Sequence, residues 1–200
     1  MSSTKYQTKQ LVQLSMFVAI IVLQTWIPFL GYINIPPLLS VTYIHVTVIV
    51  ASLLLDRRLS IWVALCWGIN SLIRAYVAPP LPTYYLIFGS PLVSVIPRLL
   101  MGWVVGFVGD QLKRRNLSIA KIGIVGGVLG TVLNTLLVLG AIFLFKQGAY
   151  LTMINIAPEA ANTQLLMKLL LGIVVTNAIP ETIVAVILTP LLLNVLYRFK

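Results

Sequence analysis

The sequence predicts an all-α integral membrane protein of six spanning helices with both termini on the cytoplasmic side, and three observations carry that expectation. The first is composition: 60% of the 200 residues are hydrophobic and 9% charged, with a mean hydropathy of +1.02, which excludes an ordinary soluble domain. The second is length of run. A spanning helix needs ~20 apolar residues, and such runs can be drawn at residues 11–28, 38–55, 60–77, 91–112, 119–145 and 165–197. The third is charge placement. Lys5 and Lys9, then Asp56, Arg57 and Arg58, then Lys113, Arg114, Arg115 and Lys121, then Arg198 and Lys200 fall on one side, whereas the opposite connections hold Lys146, Glu159 and Lys168, with Arg74 near the end of the third run. By the positive-inside rule the first side is cytoplasmic. The net charge of +10 therefore reports topology and anionic headgroups, and a nucleic-acid partner is not expected. The whole chain, 1–200, reads as a single membrane domain.

The first run is longer than a signal-peptide core and carries no convincing small-residue cleavage site, so it is expected to be retained. Ser15 and Ala19 stand four apart in it, a small-residue face on which another helix can come close. Trp26 and Pro28 mark an interface. The connection that follows is rich in Gly and Pro, and Tyr32 and Asn34 in it are placed to cap a cavity. The second run holds the single histidine, His45, which reads as a structural hydrogen-bonding group. No second His, Cys or carboxylate stands at ligand spacing, so a metal is not expected. Cys66 is the only cysteine; it forms no intrachain disulfide and reads as small buried filler.

In the third run Trp67, Asn70 and Arg74 follow a spacing of three and four and share one helical face. An aromatic, an amide and a cation there resemble one wall of a binding site, although an arginine can also snorkel to headgroups. The outer connection 78–91 combines prolines with Tyr84, Tyr85 and Phe88, a composition suited to a lid and also to an interfacial aromatic belt. The fourth run sets Arg98 inside the bilayer, where an arginine costs at least ~2.5–3.5 kcal/mol on insertion scales and faces a partner, a cavity or a ligand. Two readings apply: a structural pair with Glu181, or a substrate contact. Pro97 just before it frees a backbone carbonyl. The fifth run carries overlapping GxxxG pairs, Gly123/Gly127 and Gly126/Gly130, which read as packing, then Asn134 and Thr135. A buried amide in hydrocarbon needs partners. In the sixth run Asn177 and Glu181 are four apart on one face, and a kink is expected near Pro180.

Asn70, Arg74, Arg98, Asn134, Asn177 and Glu181 thus come from different spans at middle or outer depth. They describe a pocket for a small, polar molecule, neutral or anionic, with Trp67 or the tyrosines over its apolar part. Catalysis is not expected: the chain has no GxSxG, no HExxH and no facing aspartates, and without a P-loop it does not hydrolyse ATP. A proton-coupled carrier stays open because Glu181 and His45 can titrate.

The block SPLVSVIPRLLMGWVVG at Ser90–Gly106, the WxxxCWGxNSLxR pattern of Trp62–Arg74 and the stretch TNAIPETIVAVILTP at Thr176–Pro190 resemble the substrate-binding S component of energy-coupling factor (ECF) vitamin transporters. The resemblance covers nearly all six runs. It implies a membrane protein that captures a vitamin from outside and works with a transmembrane coupling subunit and two cytoplasmic ATPases, with no cofactor of its own. By position, Ser15 and Ala19 look like the family's AxxxA docking surface, with serine for the first alanine. The resemblance also implies that the loaded subunit topples in the membrane, bringing its pocket to the cytoplasmic side. The IPF of the first run and PRLLMG of the fourth look most like pantothenate S components of lactic-acid bacteria; similar S components take pyridoxine, hydroxymethylpyrimidine, riboflavin or folate. The resemblance then implies substrate-binding roles for Trp67, Asn70, Arg74, Tyr84, Arg98, Asn134, Asn177 and Glu181.

Overall fold

A computed structural model describes residues 3–35, 39–156 and 163–198, without the side chains of residues 3–5, 28 and 32–41. Glu159 and the side chains of Tyr32 and Asn34 lie outside the described part. Among the described residues, five helical stretches are long and apolar enough to cross a bilayer: Tyr6–Trp26, Arg57–Val77, Pro91–Arg114, Ile119–Phe145 and Thr163–Tyr197. The first belongs to α1 (Ser3–Trp26), and the second is α3 (Arg57–Val77). The third is two helices, α5 (Pro91–Ser94) and α6 (Ile96–Arg114), and the fourth is α7 (Ile119–Phe145). The fifth is α9 (Thr163–Ile173), a π-helical segment Val174–Ala178 and α10 (Ile179–Tyr197). Short helices α4 (Tyr85–Phe88) and α8 (Gln147–Met153) join them.

The expected second span, 38–55, takes a different form. Its beginning is a strand, β2 (Leu39–Thr42), paired antiparallel with β1 (Tyr32–Ile35) in the register Tyr32↔Thr42 and Ile35↔Leu39. Only Ile44–Leu54 is helical, as α2, with 11 residues. At 1.5 Å per residue it covers ~16 Å, about half of a ~30 Å hydrocarbon core. Apolarity allowed both states. The alternation in Tyr-Ile-Asn-Ile and Leu-Ser-Val-Thr favours a hairpin, and Pro36 and Pro37 between them oppose helix.

Every residue of α2 is buried, as expected for a helix that is apolar all round. It is the hub: α1, α3, α6, α7 and α10 all pack on it. Glycines make that approach possible. A Cβ on Gly126 would stand 2.5 Å from Leu53 Cδ1, and one on Gly130 2.5 Å from Ile49 Cδ1, both on α2. The other glycine face of α7 meets α10, where a Cβ on Gly123 would be 2.6 Å from Pro190 Cα and one on Gly127 2.8 Å from the Ala185 carbonyl oxygen. The two GxxxG pairs of one helix therefore serve two neighbours, as small-residue packing between apolar helices requires.

One end of the bundle gathers the basic turns. Tyr6 Oη donates to Asp56 Oδ1 at 2.9 Å, tying the start of α1 to the α2–α3 turn. Arg57 pairs with Asp110 at 2.9 Å, tying the same turn to α6. A large apolar core fills the molecule around α2. A second cluster, with Ile87, Val93, Val138, Ile142, Tyr150, Leu166 and Leu170, lies at the opposite end, under α4 and α8. Burial there pushes the Tyr150 hydroxyl pKa above its ordinary value. The candidate cavity is lined in part by residues of this second cluster.

Candidate substrate cavity

A cavity of about 190 Å3 lies at the end away from the basic turns, and its lining includes Trp67, Arg74, Tyr84, Arg98, Asn134, Asn177 and Glu181. It is walled by α3, α6, α7, the π segment with α10, and the residues of the proline-rich connection and α4, with Thr42 at the end of β2 completing it.

Arg98 is held by the break between α5 and α6. Pro97 has no N–H, so the carbonyl of Val93, four residues earlier, is left without its helical donor. The Arg98 guanidinium takes that role, Nη1 donating to Val93 O. The same group lies 5.0 Å over the Trp67 ring, a cation–π contact that strengthens when water is excluded. Both residues are buried, Arg98 at 7% exposure and Trp67 at 3%. Val93 itself is anchored by its neighbour, since Ser94 Oγ donates to Phe88 O. Phe88 in turn stacks on Tyr84 with centroids 4.3 Å apart, so the aromatic roof is tied to α5, the short helix that leads into the arginine's own.

On the other side Asn134 and Thr135 come from α7, and Asn177 comes from the π segment. Pro180 cannot donate to the Thr176 carbonyl, which explains why the regular ladder gives way just there. The wide turn precedes α10, whose first turn carries Glu181. Glu181 is 8% exposed, and its Oε1 accepts from the Thr42 backbone N–H at 2.9 Å. The Thr42 hydroxyl also bonds this carboxylate. The Asn134 Oδ1 is buried and finds no hydrogen-bond partner among the described residues. A buried acceptor left unmet costs about 1–3 kcal/mol.

Asn70 is placed elsewhere. Its Oδ1 accepts from Trp26 Nε1 at 3.1 Å and its Nδ2 donates to Cys66 O at 2.9 Å, so the side chain fastens α3 to α1. Successive helical residues turn by about 100°, which sets Asn70 about 60° to one side of Trp67 and Ser71 about 40° to the other. Ser71 lines the cavity and Asn70 does not. Spacing of three and four identified the face but not its centre. Thr42 and Ser71 carried no signal in the sequence, being small hydroxyl residues among many. His45 is buried in the core at the start of α2, outside the cavity lining. Among the described residues no group of three His, Cys, Asp or Glu is placed to hold a metal. Ser15 and Ala19 are exposed on α1, far in sequence from the lining, beside exposed Leu11, Val12, Met16 and Leu23.

Residues 9–193 match the family model of the ECF transporter substrate-specific component. The chain is 32% identical over 200 residues to the pantothenate transporter PanT of Leuconostoc mesenteroides, covering 98% of this chain and 95% of the relative. It is 30% identical over 203 residues to the pantothenic acid transporter PanT of Lactococcus lactis subsp. cremoris, covering 94% and 93%. An apolar bundle with a buried polar cavity, matched over nearly its full length, belongs to the family of substrate-specific components of ECF transporters.

Proposed function

We propose that this chain captures pantothenate from outside a bacterial cell membrane and delivers it together with a transmembrane coupling subunit and two ATPases. The observation that carries the substrate reading is the charge and hydrogen-bonding balance of the cavity. Arg74 and Arg98 outnumber the one carboxyl group, Glu181, among the described lining residues, which suits an anionic ligand. Pantothenate has a carboxylate at one end, an amide in the middle and two hydroxyls at the other end. The arginines meet the carboxylate through charge-assisted hydrogen bonds. Asn134, whose Oδ1 is unmet, accepts a hydroxyl or amide proton, and Asn177 serves the same end. Trp67 and Tyr84 cover the branched carbon skeleton. The names of the two relatives point to the same vitamin.

In this reading the basic end is cytoplasmic, the cavity opens outward, and the hairpin with α2 makes up the sixth crossing. Ser15 and Ala19, exposed among apolar neighbours on α1, dock on the coupling subunit. Calorimetry in detergent with pantothenate, pyridoxine, hydroxymethylpyrimidine, riboflavin and folate tests the substrate. The expected result is tight binding of pantothenate alone. Selective binding of another vitamin keeps the class and replaces the substrate, and uptake driven by a pH gradient with this chain alone replaces the class with a proton-coupled carrier.

A further inference from the structure

We propose that Glu181 is the residue that reads the hydroxyl end of the ligand and excludes the ligand's phosphate ester; this rests on the reading of the cavity as a pantothenate site. Glu181 is the only acidic residue among the described residues of the lining. It is also fixed: the Thr42 N–H and hydroxyl, at the end of strand β2, hold the carboxylate, and the side chain is 8% exposed. A carboxylate has about four lone-pair sites, so Thr42 leaves it capacity to accept from a ligand hydroxyl.

The same group opposes a second anion. Two arginines, Arg74 and Arg98, face one carboxyl group, Glu181, in the lining, so a single ligand carboxylate is matched and a second anion beside Glu181 is not. Phosphorylation of the primary hydroxyl removes the donor that Glu181 accepts and adds about −1.5 to −2 charge beside a buried carboxylate. Like-charge juxtaposition of this kind costs several kcal/mol. The neighbouring Asn134 and Asn177 are neutral and impose no such penalty. A site of this design takes the free vitamin and refuses the form that an ATP-dependent kinase makes from it.

The test is calorimetric titration of the detergent-solubilised chain and of Glu181→Gln with pantothenate and with 4′-phosphopantothenate. Glutamine keeps an oxygen for the Thr42 N–H and removes the charge. The wild type is expected to prefer pantothenate by roughly 100-fold or more, and the variant to narrow that ratio by about tenfold or more. An unchanged ratio in a folded variant overturns the inference alone; wild-type protein that binds no pantothenate overturns the substrate reading and with it this inference. Should Glu181→Gln give no folded protein, the wild type is titrated with the 4′-deoxy analogue. Weakening by about tenfold that persists when the same pair is titrated into Asn134→Leu, the size expected for one lost hydrogen bond to a charged group, supports the role of Glu181; equal affinity in the wild type, or a weakening that disappears in Asn134→Leu, contradicts it.

Discussion

Arg98 sits where a cation is expensive, and among its neighbours are the Val93 carbonyl that Pro97 leaves open, the Trp67 ring and the cavity, with the Glu181 carboxyl near enough to feel its charge. Replacing it tests which matters. Arg98→Ala is expected to weaken pantothenate binding by about 2–3 kcal/mol, roughly 30- to 150-fold, measured by calorimetry on protein whose melting temperature is recorded alongside. Unchanged affinity with unchanged folded yield would remove the arginine from the ligand site. Asn134 gives a sharper separation of stability from function. Its Oδ1 has no partner among the described residues, so Asn134→Leu removes an unmet acceptor, a change that is neutral or stabilising for the fold. Thermal melting without ligand is expected to be unchanged or raised, while pantothenate affinity falls by about tenfold. A drop in both would mean that the amide is structural. These residues were legible in the sequence because an arginine, an amide or a carboxylate stands out in an apolar run. Thr42 and Ser71 were not, since a hydroxyl residue in a membrane helix or strand is commonplace and only the fold shows which ones face the cavity.

At the scale of elements, α7 is the joint of the bundle. Its Gly127 lies against α10 with no room for a side chain, a Cβ there standing 2.8 Å from the Ala185 carbonyl oxygen, whereas Gly140 has nothing within 4 Å. Gly127→Val is expected to lower the melting temperature in detergent, with overpacking costing about 1–3 kcal/mol, and Gly140→Ala is expected to change it little. Equal effects would show that α7 and α10 do not pack as described. The GxxxG spacing announced this packing, and the polar pair Asn177 and Glu181 announced the face of the last helix. The strand β2 was hidden, because residues 38–55 are apolar enough to read as one span and hydropathy does not distinguish a strand running into a helix from a helix alone. Asn70 was misplaced for a related reason: periodicity groups residues on a face, and the tertiary contact with Trp26, which no local pattern encodes, decides which edge of that face turns inward. The break at Pro180 was expected near that residue. The π segment that realises it, Val174–Ala178, is what carries Asn177 into the lining.

The whole molecule is polarised, with its basic turns tied together at one end by Tyr6–Asp56 and Arg57–Asp110 and its cavity at the other. That separation fits a subunit that binds at one membrane face and is driven from the other. The exposed stripe of α1 around Ser15 and Ala19 belongs to this scale, since neither residue touches the cavity. Ala19→Trp is expected to leave pantothenate affinity within about twofold, as for a surface change away from the site, while ATP-dependent uptake by the reconstituted complex falls strongly. Undiminished uptake would place the docking surface elsewhere. The claim on which the others depend is that the cavity holds pantothenate, and native mass spectrometry of the chain purified in mild detergent tests it most directly. The account predicts a bound species of the mass of pantothenate, lost in Arg98→Ala; a different bound vitamin in the wild type, or no added mass and no binding when pantothenate is supplied, would contradict it.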